Sequence, residues 1–192
     1  MPAVGGTARK VALWPGDIPY PGPAEWSPDS AQVAYALGQR ASPWIEILTP
    51  ADRVSRKLSL PQRPINNVIL HISWSPDGRW IVFVSLRDGA RRLWRVPASG
   101  GPPEPLIKGE GFLPRWSSDG KSIFFIGLGD RQNNVWELSV ESREERPVTV
   151  LTGRRGSLGL LGLATDGRSI YFTWEELRSD IWVADIVQNQ GK

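Results

Sequence analysis

Hydrophobic and polar residues alternate along this chain in short runs, each cut off by a turn. Trp80-Ile81-Val82-Phe83, Ser122-Ile123-Phe124-Phe125 and Ser169-Ile170-Tyr171-Phe172 are β-branched and aromatic runs of the kind that form strands packed on both faces. A second set alternates more openly: Trp44-Ile45-Glu46-Ile47, Leu93-Trp94-Arg95-Val96, Val135-Trp136-Glu137-Leu138 and Ile181-Trp182-Val183-Ala184. In it Glu46, Arg95 and Glu137 oppose the apolar positions.

These runs belong to a repeat. Trp26-Ser27-Pro28-Asp29-Ser30 returns as Trp74-Ser75-Pro76-Asp77-Gly78, as Trp116-Ser117-Ser118-Asp119-Gly120 and, more weakly, as Leu163-Ala164-Thr165-Asp166-Gly167. The spacings are 48, 42 and 47 residues, and an aromatic follows nine residues after each lead: Tyr35, Phe83, Phe125 and Phe172. A tryptophan comes 9 to 11 residues later: Trp44, Trp94, Trp136 and Trp182. The unit reads as a strand ending at the lead residue, a turn, a second strand, a polar connector, a third strand and a short fourth. In the turn Pro presets φ, Asp caps its own turn and Gly takes positive φ.

Four antiparallel strands in 42–48 residues make one propeller blade. The predicted fold class is therefore an all-β propeller with four four-stranded blades, at about 24–58, 71–107, 112–151 and 160–187. The lead positions Trp26, Trp74, Trp116 and Leu163, and the later Trp44, Trp94, Trp136 and Trp182, are predicted to pack between blades, because a lone small sheet cannot bury both faces. Residues 8–13 read as an outer strand after a glycine turn, and the chain runs out after a third strand. The N-terminal strand is thus expected to complete the last sheet, in the same chain as a four-blade ring or in a partner chain as an eight-blade homodimer. A fragment of a longer propeller is the third arrangement.

Composition agrees with this reading. The 192 residues include 20 glycines and 17 prolines, which leave little room for long helices, and ten tryptophans, which argue against a disordered chain. Absence of cysteine excludes disulfides, thiolate zinc sites and cysteine nucleophiles. The formal charge of +3 implies no specific nucleic-acid partner, although Arg87, Arg91, Arg92 and Arg95 form a basic cluster that is a candidate anion patch. No apolar run is long enough for a transmembrane segment. The sequence as given shows no signal peptide, which implies a cytoplasmic protein if the chain is full-length.

Catalytic motifs are sparse. There is no Gly-x-Ser-x-Gly elbow, the glycine pairs near Gly153 and Gly159 lack a phosphate-loop pattern, and His71 is the single histidine. Nothing implies a cofactor or a metal. Glu25, His71 and Arg115 each lie just before a lead tryptophan, on the inner-strand region, and are candidate channel contacts. Trp14, Tyr20 and Trp174 fall outside the repeat phase and are candidate partner anchors, since Trp and Tyr dominate interface energetics.

The phrase Trp74–Gly78, Ile81–Ser85, Arg87-Asp88-Gly89, Leu93-Trp94 resembles the TolB-type propeller repeat, and the other units match it less fully over about residues 6–187. Members of that family are typically six- to eight-bladed and longer than this chain. The family spans periplasmic translocation proteins, propellers fused to kinases or serine peptidases, and some lyases, so the resemblance implies a binding scaffold. The expected function is a non-catalytic module for a protein or peptide partner. The alternatives are a propeller lyase or hydrolase with a channel-facing polar site, and a structural piece of a larger protein.

Overall fold

The computed structural model describes residues 23–37, 43–58, 60, 68–86, 89–131, 133–151, 153–176 and 179–185. The predicted closing strand at 8–13, Trp14, Tyr20 and Arg87 lie outside the described residues, as does the side chain of Trp182.

The strands fall into four antiparallel sheets in simple up-and-down order. The first holds β1 (Ala24–Trp26), β2 (Val33–Leu37), β3 (Trp44–Thr49) and β4 (Val54–Leu58). The second holds β5 (Ile69–Trp74), β6 (Trp80–Ser85), β7 (Arg92–Pro97) and β8 (Glu104–Pro105). The third holds β9 (Gly111–Trp116), β10 (Ser122–Gly127), β11 (Val135–Ser139) and β12 (Glu145–Pro147), with a 3-10 turn at Gly129–Arg131 between β10 and β11. The fourth has three described strands, β13 (Ser157–Thr165), β14 (Ser169–Glu175) and β15 (Ser179–Asp185). The first strands β1, β5, β9 and β13 pack successively on one another and so line the inside of the array.

The turn between the first two strands is tied by the same hydrogen bonds in the first three units. The Ser75 hydroxyl donates to Asp77 Oδ1 (2.6 Å) and accepts from the Trp80 amide (2.9 Å), while the Arg79 amide donates to Asp77 Oδ1 (3.0 Å). Ser117, Asp119, Lys121 and Ser122 repeat this at 2.7, 3.0 and 2.9 Å. In the fourth unit Ala164 replaces the serine, and Thr165 takes over, accepting from the Gly167 amide (3.0 Å). Gly78, Gly120 and Gly167 take φ of 71°, 71° and 89°, and Ser30 is forced to 58° at the same place in the first unit.

Two core clusters fill the seams. Ala34, Ala36, Ile45 and Ile47 of the first sheet meet Ile69, Ile72, Ile81 and Phe83 of the second. Val82, Val84 and Leu93 of the second join Phe112, Ile123, Phe125 and Leu138 of the third, and Ile170, Phe172 and Trp174 of the fourth. The seams are also hydrogen-bonded. The Trp74 indole donates to the Glu25 carbonyl (3.2 Å), and the Trp116 indole donates to the Ser73 carbonyl (3.3 Å).

The inter-blade role expected of all eight repeat positions divides in the structure. Trp74, Trp116 and Leu163 are buried. Trp26 is 56% exposed, because no described sheet stands beside the first on that side. Trp44, Trp94 and Trp136 are half-buried toward the blade surface, while their apolar neighbours Ile45, Leu93 and Val135 fill the seams. Lys57 covers the Trp44 ring at 4.0 Å.

Candidate functional site

The inner strands carry an irregularity at a repeated position. On β5, Leu70 pairs with Val84 and Ile72 with Phe83, so His71 is an extra residue, and its φ is 48°. On β9, the pairs Phe112–Ile126 and Arg115–Phe124 enclose a similar bulge at Leu113, whose φ is 52°. On β13, the register slips between Leu158 and Leu163. A bulge twists the strand and re-aims the side chains beyond it. Both left-handed residues are non-glycine, which costs about 1–2 kcal/mol each.

Beyond the bulges, polar side chains from successive blades converge. Arg115 Nε donates to the Leu163 carbonyl (2.9 Å) and Nη1 to the Pro114 carbonyl (3.2 Å), while Nη1 stands 3.8 Å from Glu25 Oε2. The Ser73 hydroxyl donates to Glu25 Oε1 (3.2 Å). Glu25 and Arg115 are each about one-third exposed, so the group is reachable from solvent. Burial pushes the Glu25 carboxyl above its ordinary value, against the opposing pull of Arg115 and the Ser73 hydroxyl. His71 is half-buried with its ring 6.3 Å from Phe112; burial, with Arg115 adding to it, holds its pKa below the ordinary value. Burial thus favours the neutral imidazole, and the group offers a guanidinium, a carboxyl and a ring that donates and accepts.

The structure thus brings Glu25 and Arg115 together and sets His71 on the neighbouring bulge within electrostatic reach of Arg115; all three are candidates singled out by their place before a lead tryptophan. Ser73 and the Leu163 carbonyl complete the group. Ser73 was legible only as the neighbour of Trp74, and a carbonyl carries no sequence signal. Among the described residues, no set of three or more His, Asp or Glu side chains is placed to hold a metal ion.

Trp174, a candidate partner contact in the sequence, is buried. Strand alternation puts it on the face of Ile170 and Phe172 against the third sheet, and its indole donates to the Arg155 carbonyl (3.2 Å) and Glu176 Oε1 (2.9 Å). The described arginines of the basic cluster serve different neighbours. Arg95 pairs with Glu104 and lies 4.1 Å over the Trp80 ring, Arg91 is exposed, and Arg92 lines a separate cleft beside Lys108 and Arg131.

A family model described as the TolB beta propeller domain matches residues 6–187. Among solved structures, one assigned as TolB from Agrobacterium tumefaciens is similar over 93% of this chain and 61% of its own, at 24% identity and a TM-score of 0.72. TolB from Acinetobacter baumannii is similar over 91% of this chain and 42% of its own, at 20% identity and a TM-score of 0.65. A puromycin-hydrolyzing peptidase from Mycobacterium tuberculosis matches 87% of this chain and 28% of its own, at 13% identity and a TM-score of 0.67. At these identities the likeness is one of fold. The chain spans less than two thirds of the length of each.

Proposed function

This chain belongs to the TolB beta propeller domain family, and from that premise we propose that it is a non-catalytic propeller module that binds a protein or peptide partner through the inner group of Glu25, His71 and Arg115. The observation that carries this reading is the meeting of the Arg115 guanidinium, the Glu25 carboxyl and the Ser73 hydroxyl from consecutive inner strands, with His71 on the bulge within electrostatic reach of Arg115. Such a set can hold peptide carbonyls, amides and a charged side chain in one orientation. The experiment is selection of displayed peptides on the wild-type chain, followed by titration against R115Q and E25Q. Loss of about tenfold or more in affinity, with unchanged melting, supports the reading. Equal binding by both variants overturns it. Turnover of a glycoside or peptide substrate that R115Q abolishes would favour the lyase or hydrolase alternative instead.

A second reading concerns assembly, as a homodimer that joins two four-blade arrays into one eight-bladed ring. What supports it is the chemistry of the two end sheets. Trp26 lacks the blade-to-blade packing that Trp74 and Trp116 have, and Tyr171, Ile181 and Val183 are 40%, 85% and 59% exposed on the far face of the fourth sheet. Tyr171 pairs with Val183 and Thr173 with Ile181, so these side chains share one face. Exposed apolar patches of this kind mark association surfaces.

A further inference from the structure

The seam between the second and third sheets holds a cleft of about 610 Å³, a size typical of small-ligand sites. Its walls include Arg92 at the start of β7, Lys108 and Glu110 from the link between β8 and β9, Asp130 and Arg131 from the 3-10 turn, and Trp136 of β11. We propose that this cleft binds the carboxylate of a peptide segment, with the neighbouring apolar side chain of that peptide resting on Trp136. It is separate from the inner group of Glu25, His71 and Arg115 and stands or falls independently of it.

Arg131 is built into the wall rather than hanging from the surface. Its side chain is 14% exposed, its guanidinium carbon lies 4.6 Å from the Trp136 ring centre and 5.4 Å from that of Phe125, and its Nη2 is ion-paired with Glu145. Glycines make the room. A Cβ at Gly109 would stand 2.5 Å from Arg131 Nε, and one at Gly127 would stand 2.6 Å from Arg131 Cβ. Enclosing so long a cation costs rotamer entropy and hydration. The enclosure leaves donors unsatisfied, since Arg131 Nη1 and Arg92 Nε are buried without a hydrogen-bond partner. Among the described residues, neither Arg92 nor Lys108 makes an ion pair. Three cations with an incomplete set of acceptors, around one aromatic wall, call for an anion that also carries apolar surface.

The two carboxylates choose which anion. Glu110 and Asp130 border the same space, and Glu110 Oε1 is held toward the Arg91 amide (3.3 Å). A phosphate dianion would meet both as repulsion, whereas a carboxylate, with a single negative charge, meets about half of it and has Arg92 and Lys108 on the same cleft wall to pair with. The carboxylate can come from an acidic side chain or from a peptide C-terminus, and the chemistry of capture is the same.

The test is calorimetric titration of the whole chain at low salt with three probes: acetyl-Leu-Asp-Leu-amide, acetyl-Leu-Leu-Leu with a free C-terminus, and neutral acetyl-Leu-Leu-Leu-amide. At least one acid should bind about tenfold more tightly than the neutral peptide, and the tighter acid identifies the source of the carboxylate. R92Q, at a half-buried position, and K108Q, at an exposed one, should each weaken that binding by about threefold or more, and E110Q should strengthen it. R115Q should leave it unchanged. The proposal is overturned if the neutral peptide binds as well as the acids, if R92Q and K108Q bind as wild type, or if inorganic phosphate displaces both acids at lower concentration than either binds.

Discussion

The Ser-x-Asp turn shows how single side chains hold this fold. In the second unit the Ser75 hydroxyl, followed by the Arg79 amide and side chain, holds the Asp77 carboxyl down to about 2. A depressed folded-state value means that the ionised form stabilises the fold above the unfolded value. That contribution is full above about pH 4 and drains away as the pH falls toward 2. Urea melts from pH 6 to pH 2.5 should therefore show a loss of stability that D77N shows in smaller measure. An equal acid slope in the variant would assign the loss to other carboxylates. The lead tryptophan acts across the seam instead. Trp74→Phe keeps an aromatic ring but removes the indole N–H that reaches the Glu25 carbonyl across the seam, and should cost about 0.5–1.5 kcal/mol in a urea melt for the lost hydrogen bond. The lead residues and the turn chemistry were readable from residue types. The acceptor of each indole was not, because it is a backbone atom on another blade.

At the scale of the element, runs such as Ile81–Phe83 and Ile123–Phe125 announced their strands through β-branched and aromatic content, and these became the central strands of their sheets. The bulges did not announce themselves. Ile69–Trp74 reads as an ordinary strand, and only the pairing with β6 shows His71 to be supernumerary. A β-branched residue tolerates the left-handed region worst, whereas asparagine visits it readily. His71→Val should therefore be less stable than His71→Asn by about 1 kcal/mol, measured by thermal unfolding. Matching stabilities would remove the bulge as the reason for the backbone there. Alternation also explains the misplaced Trp174. It is two residues beyond Phe172 and shares its buried face, a signal present in the sequence but masked by its position outside the repeat phase.

For the whole molecule the two end sheets matter most, since both present apolar side chains to solvent, Trp26 on the first and Ile181 and Val183 on the fourth. Among the described elements, no extended packing joins the first sheet to the fourth. If two copies cover each other's ends, light scattering should give twice the chain mass of 21.3 kDa. Ile181→Lys, at an 85% exposed position, should return the protein to that single mass while leaving monomer unfolding nearly unchanged. A wild-type monomer at all concentrations would overturn the homodimer. The arrangement of blades was legible because the repeat of 42–48 residues fixes how much chain each sheet receives.

The sequence by itself determined the class of fold, the number of repeat units and the chemistry of the turns. These are local matters, set by strand alternation, turn residues and the length of the repeat. Only the tertiary structure decided which tryptophans are core, where the inner strands bulge and which polar groups meet. Glu25, Ser73 and Arg115 are far apart along the chain and become neighbours because each blade sets its first strand against the next. Arg131 likewise meets Glu145 and Trp136 only once the third sheet has folded around it. Contacts of that range depend on register and on stacking between sheets, which residue patterns within a single strand do not encode.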